Sequence, residues 1–246
     1  MNKKKIINDP LYGFITITSE LIFDIINHPF VQRLRRIRQL GLSEYVYPGA
    51  LHTRFHHALG SMHLMNEALE SLRKKGIDIS NEEFEAALIA VLLHDVGHSP
   101  FSHALEHHLV DGVNHEQISI IVIEELNRQL NGQLDLALAI FKGEYSRRFF
   151  HQLVSSQLEI DRLDYLNRDS VFTGVIEGQI SSERIIKLLN VRNDELVVDE
   201  KGIYSIENFL SARRLMYWQV YLHKTTVGIE AMLRLIVNRV KKIHHE

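Results

Sequence analysis

Residues 92–103 read Leu92-Leu93-His94-Asp95-Val96-Gly97-His98-Ser99-Pro100-Phe101-Ser102-His103. An apolar helix runs straight into a His-Asp pair and then meets Gly and Pro. An aspartate at the end of a buried helix is costly unless it is paired or metal-bound. Adjacent His and Asp side chains at a helix end can turn the same way and hold one cation. Taken alone, the dipeptide is common by chance and reads more simply as a solvated helix C-terminus. The helix before it is well marked. Ser80-Asn81-Glu82-Glu83 is a capping box, and Phe84, Leu88, Val91 and Leu92 recur at helical spacing.

Working outward, the chain reads as helix after helix. Ser19 can cap a helix over 20–27, and residues 29–40 continue as a basic helix. Asn114 with Gln117 forms a cap pattern before a helix over 118–130. Residues 51–74, 134–141, 147–157 and 181–189 are further helices. Residues 206–242 lack proline and predict one long helix, with Gly228 as the place for a break. The strands expected are 195–198 and 203–205, paired across Asp199-Glu200-Lys201-Gly202. The expected fold is all-α with one small β-hairpin, in a single domain over 1–246.

Composition bounds the chemistry. The 246 residues carry 28 Lys plus Arg against 31 Asp plus Glu, a formal net charge of -3, which argues against nucleic acid as the primary partner. No cysteine is present, so thiolate metal sites, disulfides and thiol nucleophiles are excluded. Histidine is the excess, at 15. Three lysines near the start are followed by only Ile6 and Ile7 before Asn8-Asp9-Pro10, which is no signal peptide. The apolar run from Ala86 to Leu93 falls far short of the roughly 20 residues that span a bilayer. A cytoplasmic protein without a membrane partner is the expectation.

Other segments give the His-Asp pair company. Arg54-Phe55-His56-His57-Ala58-Leu59-Gly60 offers a helical His, with Gly60 leaving room beside it for close helix approach. Asp161, Tyr165 and Asp169 fall at i, i+4 and i+8, on one helix face. Such a face is usually just wet, but Ile160, Leu163 and Leu166 also need a buried side. Asn114-His115-Glu116 puts a His in the first turn of a helix. Two His and two Asp from separate helices make a mixed nitrogen–oxygen site. That ligand set suits Mn, Fe, Ni, Co or Zn and tolerates Mg. Nearby Arg residues with His98, His103 and His115 would neutralise a polyanion.

In these residues the chain resembles the HD-domain phosphohydrolase superfamily, and within it the branch of deoxynucleoside triphosphate triphosphohydrolases, the dGTPase-like enzymes. The resemblance runs through residues 9–13, 30–41, 47–60, 94–103 and 157–169, in the family's order. It implies an HD-domain helical bundle. It implies His57, His94, Asp95 and Asp161 as ligands of a divalent metal, and His115 as general acid to the leaving 5′-oxygen. Glu106 stands where the family has an acidic partner for that His, with Glu in place of the expected Asp. His98 falls near metal and phosphates. His103, Arg54, Arg162 and Arg213 face phosphate; Gln39, Tyr165 and Asp169 hold the deoxyribose; Tyr221 lies along the base.

The reaction implied is water attack on the α-phosphorus of a dNTP, releasing deoxynucleoside and tripolyphosphate. The resemblance also implies a homo-oligomer and a nucleotide effector, with residues 9–13 and the Arg33–Arg38 segment resembling regulatory sites. Asn27 stands where a related enzyme has an Asp that reads a guanine effector. The plain alternative for the arginines is a solvated helix face. Relatives commonly run longer, so a C-terminal region beyond residue 246 is expected. A phosphohydrolase acting on a nucleotide monoester or cyclic phosphodiester, and a non-catalytic nucleotide sensor or nucleic-acid-binding module, are the competing readings.

Overall fold

A computed structural model describes residues 5–106 and 112–245. It begins with a hairpin that the pattern reading did not anticipate. Strands β1 (Lys5–Asp9) and β2 (Gly13–Ile17) pair antiparallel, from Lys5↔Ile17 to Asp9↔Gly13. The Asp9 carboxylate accepts the backbone N–H groups of Leu11 (2.9 Å) and Tyr12 (3.1 Å). Such a side-chain-closed turn is a known use of Asp. Ile15 and Ile17 are buried while Phe14 is exposed, the alternation of a half-buried strand.

Helix α1 (Glu20–Asn27) is capped by Ser19 as expected. The basic helix after it is not continuous. Helix α2 (Pro29–Gln32) tightens into a 3-10 turn over Arg33–Arg36, and Ile37 is already extended. Tertiary pairing wins over helix propensity here. Arg38 forms a backbone bridge with Thr53, and the Arg33 guanidinium donates to the carbonyls of His98 (2.8 Å) and Val96. The arginines are therefore not one solvated face. Arg35 stacks 3.7 Å over the Phe55 ring, and Arg33 clamps the loop that follows His94.

Helix α3 (Arg54–Lys74) starts later than residue 51, because Thr53 and His56 close a capping box at its head. Helix α4 (Asn81–Leu93) opens on the Ser80–Glu83 box, with Ser80 Oγ accepting the Glu83 N–H at 3.0 Å. From Ala86 to Leu93 every side chain of α4 is buried, so the stripe read from the sequence was too narrow. This is the central helix, packed against α3 and against α6 (Asp135–Lys142). Around them lie α5 (His115–Gln129), α7 (Arg148–Val154), α8 (Ile160–Thr173) and α9 (Ser182–Leu188).

The second hairpin contains residues 195–198 as expected, but with a different partner. Strand β3 (Leu189–Arg192) pairs with β4 (Glu195–Val198). Asn193 and Asp194 both take positive φ, at 52° and 64°, the two-residue turn whose twist suits a hairpin. Residues 203–205 instead open α10 (Ile203–Met216). The long helix after it is broken, though not at Gly228. Residues Tyr217–Tyr221 form a π-helical turn, and α11 (Lys224–His245) follows. Tyr47 donates its hydroxyl to the Gln219 carbonyl within that turn. The fold is all-α with small hairpins, and no helix among the described residues is long and apolar enough to cross a membrane.

Helices α3 and α8 touch at Gly60. A Cβ there would lie 2.0 Å from Asp164 Oδ1 and 2.1 Å from an Arg168 terminal nitrogen. Only glycine permits this approach, and the approach brings His57 of α3 to the first turn of α8.

Candidate active site

Three helix ends converge at the centre. His57 sits on α3, His94 and Asp95 directly after α4, and Asp161 in the first turn of α8. His57 Nε2 lies 2.6 Å from Asp161 Oδ1, 3.3 Å from His94 Nε2 and 3.7 Å from Asp95 Oδ2. His94 Nε2 lies 3.2 Å from Asp161 Oδ1 and 3.5 Å from Asp95 Oδ1. His57 is fully buried and Asp95 nearly so.

The outer nitrogens are spoken for. His94 Nδ1 is 2.6 Å from the Val91 carbonyl, and His57 Nδ1 is 2.7 Å from Asp164 Oδ2. Each contact fixes the ring and leaves Nε2 pointing at the shared centre, as outer partners of metal-bound histidines do. Burial alone would discharge His57, yet Asp161 and Asp164 push its pKa up to about 10. His94 is likewise raised against burial, by Asp95 and Asp161. Against burial, His94 and His57 hold Asp161 below the usual carboxylate range. The centre thus calls for positive charge. The two imidazole nitrogens and the Asp161 carboxylate lie close enough together to share a divalent cation, with the Asp95 carboxylate beside them.

A second group of histidines stands beside it. Glu106 reaches His115 Nδ1 with Oε1 (2.5 Å), accepts the His115 backbone N–H (3.1 Å), and reaches His103 Nδ1 with Oε2 (2.8 Å). Burial would raise the Glu106 pKa, but these hydrogen bonds hold it at about 2. The His98 ring packs 3.9 Å from that of His115 and lies 3.2 Å from Asp95 Oδ1. Burial pushes His98 down to about 3. Phe101 and Ser102, between them, hold left-handed backbone at φ 66° and 52°, a strained conformation for non-glycine residues. Ser102 Oγ in turn accepts from Arg54 Nε (3.0 Å) and donates to the Arg38 carbonyl (2.7 Å).

Both groups border one cavity of about 530 Å³. Asp95, Asp161, His98, His103 and His115 line it on one side. Arg54, Arg162 and Arg213 also line it. Arg54 is paired with Asp95, and Arg162 with Glu159 at 2.7 Å, so neither is a free cation. Gln39, Tyr165, Asp169 and Tyr221 complete the wall. Asp169 is buried between His52 Nε2 (2.7 Å) and the Tyr221 hydroxyl (2.9 Å), and Tyr165 meets Tyr221 edge-on at 6.1 Å. Gln39 Oε1 is buried and finds no hydrogen-bond partner among the described residues. His57, His94 and Glu106 stand behind the wall.

Residues 54–169 match the HD domain model, and residues 180–245 match the HD associated region. The chain belongs to the HD-domain family. His57, His94, Asp95 and Asp161 all lie within the matched HD domain; Gln39, Arg213 and Tyr221 lie outside it. A Bacillus subtilis protein, YwfO, is 36% identical over all of this chain and 58% of its own length. A deoxynucleoside triphosphate triphosphohydrolase SAMHD1 homolog of Dictyostelium discoideum is 29% identical over 93% of this chain and 48% of its own. The crystal structure of a phosphohydrolase from Bacteroides thetaiotaomicron superposes with a TM-score of 0.96 at 60% identity, covering 98% of this chain and 60% of that one. The HD-domain chain therefore spans about half to three fifths of the length of these relatives.

The sequence reading missed three residues of this site. Asp164, Arg168 and His52 act from behind the visible ones, and all three lie in segments already matched for other residues. Their signal was available in part. Asp164 and Arg168 are an i, i+4 acid–base pair facing the Gly60 contact.

Proposed function

We propose that this chain is a divalent-metal-dependent phosphohydrolase that cleaves deoxynucleoside triphosphates to deoxynucleoside and tripolyphosphate. One observation carries the reading: Asp95 and Asp161 of the metal-ligand cluster, His115 with Glu106 behind it, and the Gln39–Tyr165–Asp169 group all meet at the same cavity. Its volume suits a ligand of nucleotide size. The names of the Dictyostelium SAMHD1 homolog and of the Bacteroides phosphohydrolase point the same way.

In this reading His57, His94, Asp95 and Asp161 hold the cation, which supplies Lewis-acid polarisation of a phosphoryl oxygen when bound. The chain's own groups do the rest. Arg162, Arg213, His98 and His103 take the phosphates, and Arg54 braces Asp95 while bordering them. His115, fixed through Nδ1 by anionic Glu106, passes a proton from its other nitrogen to the leaving 5′-oxygen. The vacant Gln39 acceptor and the Asp169 carboxylate take the 3′-hydroxyl, and Tyr165 closes on C2′ where a ribose hydroxyl would clash. Tyr221, tied to Asp169 by its hydroxyl, offers its ring to the base.

Assembly and regulation belong to the same proposal. Helix α11 leaves Met232, Leu235, Ile236, Val240 and Ile243 exposed at helical spacing, a face for a second copy. Asn27 is exposed, its side chain donating to the Phe23 carbonyl, and is open to an effector. The test is to incubate the protein with each dNTP and NTP plus Mn, singly and in pairs, and to chromatograph the products. Tripolyphosphate from dNTPs alone is expected. Orthophosphate or a ring-opened monoester would move the substrate to a monoester or cyclic diester. Nucleotide binding without turnover would make the chain a sensor.

A further inference from the structure

The metal cluster has a support that begins far from it in the chain. Arg168 of α8 is fully buried, and its guanidinium serves two carboxylates at once. Towards α3, Nε and one terminal nitrogen each donate to Asp164 at 2.9 Å. Towards the N-terminal hairpin, the two terminal nitrogens donate to Asp9 at 2.9 and 3.4 Å. Asp164 Oδ2, shared with Arg168 Nε, is the atom that holds His57 Nδ1 at 2.7 Å. Asp9 is 4% exposed, and Asp9 Oδ1 is the oxygen that closes the β1–β2 turn through Leu11 and Tyr12.

We propose that Asp9 and Arg168 are positioning residues of the metal centre, and that the N-terminal hairpin through them sets how tightly the cation is held. The reasoning is geometric. A guanidinium is a rigid planar fork, so a carboxylate fixed on one edge fixes where the other edge can donate. Asp9 fixes the outer edge. Arg168 is thereby placed so that Asp164 meets it with both oxygens, and Asp164 in turn fixes the plane of the His57 ring. Gly60 leaves no slack, since even a Cβ would strike both Asp164 and Arg168. Without Asp9, a buried guanidinium would be left with empty donors and would be drawn towards Asp164. That shift is passed to His57. The linkage is reciprocal, so a cation that fixes His57 also steadies the Asp9 turn. Asp9 lies outside the residues that match the HD domain, so this arm is an addition to the matched unit.

The inference rests on reading the His57 cluster as a metal centre and is independent of the nucleotide substrate. Its test uses Co²⁺ as the probe on metal-stripped full chain. Titration calorimetry on Asp9→Asn should show affinity weakened roughly tenfold or more, the usual effect of losing an outer partner. An Asp9→Asn protein that melts like wild type and binds Co²⁺ within about twofold of it would overturn the proposal. A second measurement needs no variant. Hydrogen exchange at the Leu11 and Tyr12 amides of wild type should slow when Co²⁺ is added. Exchange unchanged by saturating Co²⁺ overturns the coupling. Wild type that binds no Co²⁺ overturns it too, together with the metal centre. Failure to cleave dNTPs touches neither readout.

Discussion

Glu106 is a residue whose length matters as much as its charge. Its carboxylate spans two imidazoles and a backbone N–H. The shorter acid expected at this position would have to give up part of that span. Glu106→Gln keeps the shape and removes the charge. We expect kcat to fall roughly 100-fold with a much smaller change in KM, the size typical of a lost acid–base function. Steady-state kinetics on a dNTP checks this. Tyr165→Ala tests sugar selection. The ratio of kcat/KM for a dNTP over its NTP should drop about tenfold or more, because a steric wall is removed and no hydrogen bond is lost. An unchanged ratio would place the ribose elsewhere. At this scale the sequence was most legible. The residues read as ligands do meet, because the His-Asp pair at the end of α4 and the acid–tyrosine–acid face of α8 are local patterns. The role of His52 and the link from Arg168 to the hairpin were illegible because the partners, Asp169 and Asp9, lie far away in the chain, although the Asp164–Arg168 pair is local.

Helices succeeded where their ends carry chemistry, and failed where tertiary contacts decide. The Ser80–Glu83 box marked α4 correctly. The basic stretch after Pro29 lost its helix to a backbone bridge and to Arg33 reaching across to the loop after His94. The first hairpin was missed, although Ile15 and Ile17 alternate with Thr16 and both turn inward. The second was misjudged because Gly202 looked like a turn, whereas Asn193-Asp194 made one. Two predictions belong here. Gly60→Ala should destabilise by about 1–3 kcal/mol, the range for overpacking, and should weaken Co²⁺ binding as α3 and α8 separate. Thermal melts and titration check both. Glu83 accepts from Tyr145 (2.7 Å), Arg147 (2.7 Å) and the Ser80 N–H (2.8 Å). Burial opposes its charge, but those partners hold its pKa below the ordinary 4.5. Its folded value lies below its unfolded one. The stabilisation is therefore present above pH 4.5 and lost as pH falls through the folded value. Glu83→Gln should melt lower than wild type at neutral pH, with the gap closing in acid. A constant gap would count against the assignment.

For the whole molecule, the all-α reading held because polar punctuation is sparse and capping residues are frequent. The wall of the cavity was harder to foresee, since it gathers residues from Gln39 to Glu230 across most of the chain. The π-helical turn at Tyr217–Tyr221 has an effect on that wall. Arg213, Tyr217 and Tyr221 all line the cavity at four-residue steps. In an ordinary helix each such step drifts by roughly 40° around the axis. The wider turn, with its i→i+5 bonding, advances less per residue and takes back part of that drift. It works as a phase corrector, keeping cation, ring and ring in one file down the cavity. The file is then fragile to insertion or deletion in a way that no single side chain reveals. Deleting Gln219 would turn Tyr221 out of that file, parting its hydroxyl from Asp169. Sugar selection should be lost from a chain whose every cavity-lining residue is still present, and the dNTP-to-NTP ratio reads it.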